Sequence, residues 1–170
     1  MSEPVVVPDA EAMHALGVRL GATFRAGDLV VLTGPLGAGK TTLTRGIGEG
    51  LGVRGPVSSP TFVLARTHPS LTDGGVPLVH VDAYRLGSAA ELDDLDLDYG
   101  SAVVVVEWGE GLLDGVAESW LDVRIERPVG AGDVDGGDVA AVDADDVPDE
   151  PRLVTLEPHG ARWAGVALPA

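Results

Sequence analysis

A chain of 170 residues of which 45% are apolar can build one compact domain with a proper core and is short for two, so a single domain over residues 1–170 is expected. A formal net charge of −16 argues against unaided binding of DNA or RNA, because phosphate contacts need clustered Lys and Arg and this field repels a polyanion. With no cysteine and four scattered histidines, disulfides, thiolate metal sites and cysteine nucleophiles are excluded, and any metal is expected on oxygen ligands.

Val5 to Val7 reads as a first strand, followed by Asp9 as the N-cap of a helix to about Thr23 with Met13, Leu16 and Leu20 at helical spacing. Gly17 and Gly21 weaken that helix as an isolated element, each giving up about 1 kcal/mol of propensity relative to Ala. Leu29 to Leu32 is a continuous apolar strand, and a glycine-rich turn leads from it into a second helix from about Gly39 to Leu51. After a loop with Ser58, Ser59 and Pro60, strands are expected at Phe62 to Thr67 and Leu78 to Asp82, separated by a turn over Pro69 to Gly75. Ser88 with Glu91 forms a capping box for a short acidic helix, and Ala102 to Val106 is a buried strand. Trp120 to Glu126 and Arg152 to Glu157 alternate as half-exposed antiparallel strands do, and the stretch between them, 128–151, reads as a flexible acidic loop. Nothing in Met1 to Ala10 forms the basic region of a signal peptide, and no apolar run nears the roughly 18 residues of a membrane helix, so a cytoplasmic protein that touches no membrane is expected.

The chemistry concentrates in Gly34-Pro-Leu-Gly-Ala-Gly39-Lys40-Thr41, which meets the phosphate-loop pattern at each specified position. In such a loop the backbone N–H groups of residues such as Gly34, Leu36, Gly37, Ala38 and Gly39, with the N-terminus of the following helix, turn toward phosphate oxygens. Lys40 is placed to reach the β and γ phosphates and the Thr41 hydroxyl to help hold Mg²⁺. The match falls between an apolar strand and a helix, the one setting where its geometry works. Lys40 is also the only lysine, ten arginines supplying the other side-chain positive charges. A compact, flexible ammonium thus stands where a guanidinium fork is not equivalent. Fold and motif together predict an α/β, P-loop NTPase-like three-layer domain with a mixed, mostly parallel sheet flanked by helices.

Two carboxylates end apolar runs, Asp82 after Leu78 to Val81 and Glu107 after Ala102 to Val106, and the C-terminal ends of parallel strands face the ligand crevice. They are the candidates to meet the metal and place the attacking water. Glu91, Asp93, Asp94, Asp96 and Asp98 read as a solvated face, His80 as a packed histidine and Trp108 as a core edge. An Asn-Lys-x-Asp guanine signature cannot occur when the sole lysine is Lys40. Two alternatives to ATP hydrolysis are a nucleotide-gated binding module with incidental turnover and a small-molecule kinase, the latter short of arginines for a basic lid.

The phosphate loop with Thr42, the Ser59-Pro60-Thr61 segment, the run His80-Val-Asp82-Ala-Tyr84-Arg85-Leu86 and the Glu107-Trp108 pair stand in the order and at the spacings of one family. In these the chain resembles the TsaE family, also called YjeE, ATPases needed to make threonylcarbamoyladenosine in tRNA. The resemblance implies a small ATPase using ATP and Mg²⁺ with the TsaB and TsaD partner proteins, the tRNA being held by those partners. It also implies phosphate contact by Lys40, Thr41 and Glu107 at Mg²⁺ with Asp82 beside it, and a switch-like loop containing Thr61. Pro35, where an acidic residue is common in the family, and a longer acidic stretch near 130–150 are departures outside the phosphate-binding residues.

Overall fold

The computed structural model describes residues 3–55, 57, 65–83, 100–107, 117–127 and 150–169. These residues form one sheet from strands β1 (Val5–Val7), β2 (Leu29–Thr33), β3 (Ala65–His68), β4 (Leu78–Asp82), β5 (Val103–Glu107), β6 (Trp120–Glu126) and β7 (Arg152–His159), in the order β1-β7-β6-β2-β5-β4-β3. The centre is parallel, β2 pairing with β5 and β6 and β4 with β5, whereas β3 adds antiparallel to β4 and the β6–β7–β1 side is antiparallel throughout. The mixed α/β fold expected from the pattern is present. Because β2, β4, β5 and β6 point the same way, the segments leaving their C-terminal ends gather at one edge of the sheet.

Helices α1 (Ala10–Thr23) and α2 (Lys40–Leu51) cover the same face. Asp9 caps α1 as anticipated, accepting from the Ala12 N–H at 2.8 Å. Leu16 and Leu20 of α1 and Leu43 and Ile47 of α2 meet Val30, Leu32, Val103 and Val105 in the main core. On the opposite face Leu29, Val31, Val79, Val81, Val104 and Val106 form a second buried cluster. Strands β2 and β5 are therefore buried on both sides, which is why they read as unbroken aliphatic runs.

The glycines that weaken α1 in isolation have a packing reason. A Cβ on Gly17 would lie 2.9 Å from the Cα of Gly46, and one on Gly50 would lie 3.0 Å from the carbonyl carbon of Val18. The backbones of α1 and α2 touch along a seam of Gly17, Gly21, Gly46 and Gly50, and tertiary contact offsets the lost propensity. His14 Nε2 and Glu49 Oε2 meet at 2.9 Å across the same two helices.

Element limits differ slightly from expectation. Strand β5 starts and ends one residue later than the apolar run, so Glu107 is itself a strand residue, and β7 continues past Glu157 to His159. Strand β3 is described from Ala65, the expected start at Phe62 lying outside the described residues, as do the Ser88 capping box, Trp108 and residues 128–149 of the acidic stretch.

A 3₁₀ turn, Ala161–Trp163, ties the C-terminal segment to the turn before β2. Arg162 donates from Nε to Asp28 Oδ1 at 2.6 Å and from Nη2 to Oδ2 at 2.8 Å, and its guanidinium lies 4.5 Å from the Trp163 ring centroid. Asp28, whose side chain is 1% exposed, also accepts from the Arg25 N–H at 2.8 Å. Among the described residues no helix is long and apolar enough to cross a membrane.

Candidate functional site

The loop from Gly34 to Gly39 leaves β2 at the gathered edge and turns directly into α2. Two of its glycines carry positive φ, Gly37 at 76° and Gly39 at 106°, values that side-chain-bearing residues rarely adopt. Gly34 has a different constraint, since a Cβ there would lie 2.8 Å from the Ile125 carbonyl oxygen of the neighbouring strand β6. Gly39 also seats against Met13, whose Cε would be 3.3 Å from an added Cβ. Met13 thus supports the loop from α1, a contact that its position in a helical repeat did not disclose.

Gly39 is the N-cap of α2, and no side chain bonds the amides of the first turn, in contrast to Asp9 on α1. The first turn of α2 also holds no acidic residue. An uncapped helix N-terminus presents aligned N–H dipoles and favours an anion in front of them. Within the loop the Ala38 N–H bonds the Pro35 carbonyl at 3.0 Å, fixing the curl; Leu36 is exposed and Ala38 buried.

Lys40 is buried and folds back over the loop, its Nζ donating to the Gly34 carbonyl at 2.7 Å and to the Pro35 carbonyl at 3.0 Å. Burial pushes its pKa below the usual lysine value, against the smaller opposing pull of Glu107 and Asp82. The sole ammonium and both predicted carboxylates therefore share one electrostatic neighbourhood. Thr41 and Thr42 are half-buried in the first turn of α2, and Thr44 bonds the Lys40 carbonyl at 2.8 Å, anchoring that turn.

Asp82 and Glu107 are direct register partners on β4 and β5, and Glu107 is also level with Leu32 on β2, two residues before Gly34. They stand side by side at the strand tips beneath the loop, Asp82 half-buried and Glu107 buried. His80, one step down the same face of β4, is sealed from solvent with Nε2 3.1 Å from Glu107 Oε1. The two atoms make no hydrogen bond to each other, and Oε1 has no hydrogen-bond partner. A buried carboxylate oxygen without a hydrogen-bond partner, beside a second carboxylate at the strand tips, offers oxygen ligands of the kind that suit a hard divalent ion such as Mg²⁺. Lys40, Thr41, Asp82 and Glu107 are thus brought to one edge, whereas Thr61, Ser59 and Pro60 lie outside the described residues.

A family model described as "Threonylcarbamoyl adenosine biosynthesis protein TsaE" matches residues 7–131. A Streptomyces coelicolor protein named tRNA threonylcarbamoyladenosine biosynthesis protein TsaE is 57% identical over 155 residues, covering 89% of this chain and 94% of that one. A protein of the same name from Bacillus subtilis is 39% identical over 126 residues, covering 72% and 75%. Among solved structures, that of Bacillus subtilis YdiB superposes with a TM-score of 0.64 at 29% identity, covering 94% of this chain and 86% of that one.

Proposed function

The chain belongs to the TsaE family, and on that premise we propose that it binds Mg-ATP in the loop from Gly34 to Thr42 and hydrolyses it in support of threonylcarbamoyladenosine formation in tRNA. The observation that carries the reading is the meeting of Lys40 with Glu107 and Asp82 at the tips of adjacent strands, under an uncapped helix N-terminus. Loop amides and the α2 N-terminus cradle the phosphates while Lys40 swings its ammonium from the Gly34 and Pro35 carbonyls toward the β and γ phosphates. Thr41, Glu107 and Asp82 are the residues that would hold Mg²⁺, which supplies charge neutralisation across the phosphates when bound. Glu107, with Thr61 as an alternative, orients water in line with the γ phosphorus, and Lys40 stabilises the charge that develops on the equatorial oxygens.

A surface with net charge −16 repels tRNA, so the RNA is held by partner proteins of the TsaB and TsaD kind, with which this chain acts in the cytoplasm. The test is ATP hydrolysis by the purified protein, alone and with those partners, beside calorimetric titration with Mg-ATP. Lys40→Ala is expected to abolish turnover and leave the fold intact; undiminished hydrolysis by that variant refutes the assignment.

A further inference from the structure

The face of the sheet opposite α1 and α2 carries a second constellation, unrelated to the phosphate loop. Strands β6 and β7 place Trp120 opposite His159 and Asp122 opposite Glu157. Two carboxylates directly across an antiparallel pair repel each other unless a cation joins them. One ligand atom each from Asp122, Glu157 and His159 lies within 4.8 Å of the others.

We propose that Asp122, Glu157 and His159 form a binding site for one divalent transition-metal ion, Zn²⁺ foremost. The imidazole decides the class. His159 Nε2 is 3.0 Å from Asp122 Oδ2, yet it has no hydrogen bond and is itself closed to solvent although the ring is partly exposed. An imidazole nitrogen that stands beside a carboxylate without making a hydrogen bond to it is satisfied by an ion seated among the three groups. A mixed nitrogen and oxygen set with an imidazole suits Zn²⁺ and its neighbours, whereas Mg²⁺ and Ca²⁺ prefer oxygen alone. The sequence expectation of oxygen-only metal ligands came from histidines that look scattered; pairing of β6 with β7 brings one of them to the acids.

The site is supported from outside. The Trp120 ring stacks on His159 with centroids 4.6 Å apart, and its Nε1–H donates to Asp122 Oδ2 at 3.2 Å. Such outer contacts hold ligand rings and carboxylates in orientation. Tetrahedral Zn²⁺ needs donor atoms about 3.4 Å apart, which small side-chain rotations from this arrangement reach. Asp122 and His159 side chains are 36% and 40% exposed, so the site lies at the surface and a small rotation of the ring opens Nε2 to an ion, which retains an open position for water or a donor from another molecule. Thr33, at the start of the Gly34 loop, is level with Arg124, two residues along β6 from Asp122 and four from Trp120, so the site lies about 7–13 Å toward the other edge of the sheet.

The experiment is calorimetric titration of chelator-treated, nucleotide-free protein with Zn²⁺, repeated with Co²⁺ while following visible absorption and tryptophan fluorescence. The expected result is one equivalent bound, lost in His159→Ala and Asp122→Asn and retained in Glu107→Gln. Trp120→Phe is expected to weaken binding about tenfold and remove the metal-dependent fluorescence change. Circular dichroism verifies the fold of each variant, and His159→Gln serves if the alanine variant is unfolded. No uptake at micromolar Zn²⁺ overturns the proposal. Uptake equal in wild type and both His159 variants, or lost in Glu107→Gln instead, places the ion elsewhere and overturns it too. ATP hydrolysis by the His159 variants is measured in parallel and is expected to match wild type, which separates this site from the nucleotide site.

Discussion

Replacing Gly46 with Ala sets two effects against each other on α2. Alanine gains about 0.8–1.0 kcal/mol of helix propensity over glycine. The added Cβ, however, would lie 2.9 Å from the Cα of Gly17 and closer still to the His14 carbonyl oxygen. Carbon atoms rest at about 3.5–4.0 Å, so the helices must part by about 0.6–1 Å. Overpacking of this kind costs about 1–3 kcal/mol, and the upper part applies because the obstacle is backbone, which has no rotamer to change. The net loss is then about 1–2 kcal/mol, or about 2–8 °C in Tm for a chain of this size. Urea unfolding followed by circular dichroism should show a lower midpoint at unchanged slope. Gly48→Ala is the control, since its Cβ would meet side-chain methyls of Val57 and Val53 that can yield, and its loss should be smaller. Because Lys40 opens α2, Gly46→Ala should also weaken Mg-ATP binding. A Gly46→Ala variant as stable as wild type would show that the helices do not meet backbone to backbone.

Arg162→Ala strands the buried Asp28 carboxylate without its countercharge and should cost about 3–5 kcal/mol in thermal or urea unfolding; a loss below about 1 kcal/mol would show that the Arg162–Asp28 pair contributes no more than a surface ion pair. His68 has its pKa lowered, first by burial and then by His80 and Arg66. The folded state thus resists a proton that the unfolded chain accepts, so this contribution is complete above the unfolded value of 6.5 and declines as pH falls below it. In His68→Gln the fall in urea midpoint between about pH 7.5 and about pH 5.5 should be smaller than in wild type, and an identical fall would contradict a neutral buried imidazole. Glu107→Gln should keep Mg-ATP binding within about tenfold while lowering turnover about a hundredfold or more. Binding to partner proteins that follows nucleotide occupancy and ignores Glu107→Gln would favour a nucleotide-gated switch over a hydrolase.

The geometry of the candidate loop was legible because its signals are local. Gly37, Gly39, Lys40 and Thr41 are consecutive or nearly so, and a strand, a positive-φ turn and a helix start are dictated by neighbours in the chain. Asp82 and Glu107 were legible for a related reason: a carboxylate ending a run of buried valines needs a partner, whichever strand lies next to it. Other features were hidden by distance along the chain. Gly17 and Gly21 look like defects until α2 brings Gly46 and Gly50 against them, although glycines four apart in both helices were a readable hint. His80 read as a packed histidine, and only the β4–β5 register sets its Nε2 against Glu107.

By itself, then, the order of residues determined the local form of the described segments: strand, glycine turn, capped helix, and the chemical groups that each carries. Register and helix packing were left to the tertiary structure, because pairing energies depend on which distant strand or helix supplies the other half. That is why Arg162 finds Asp28 across 134 residues, why two helices rich in glycine lie backbone to backbone, and why Asp122, Glu157 and His159, on half-exposed strands that alternation marks, come together only through the β6–β7 register.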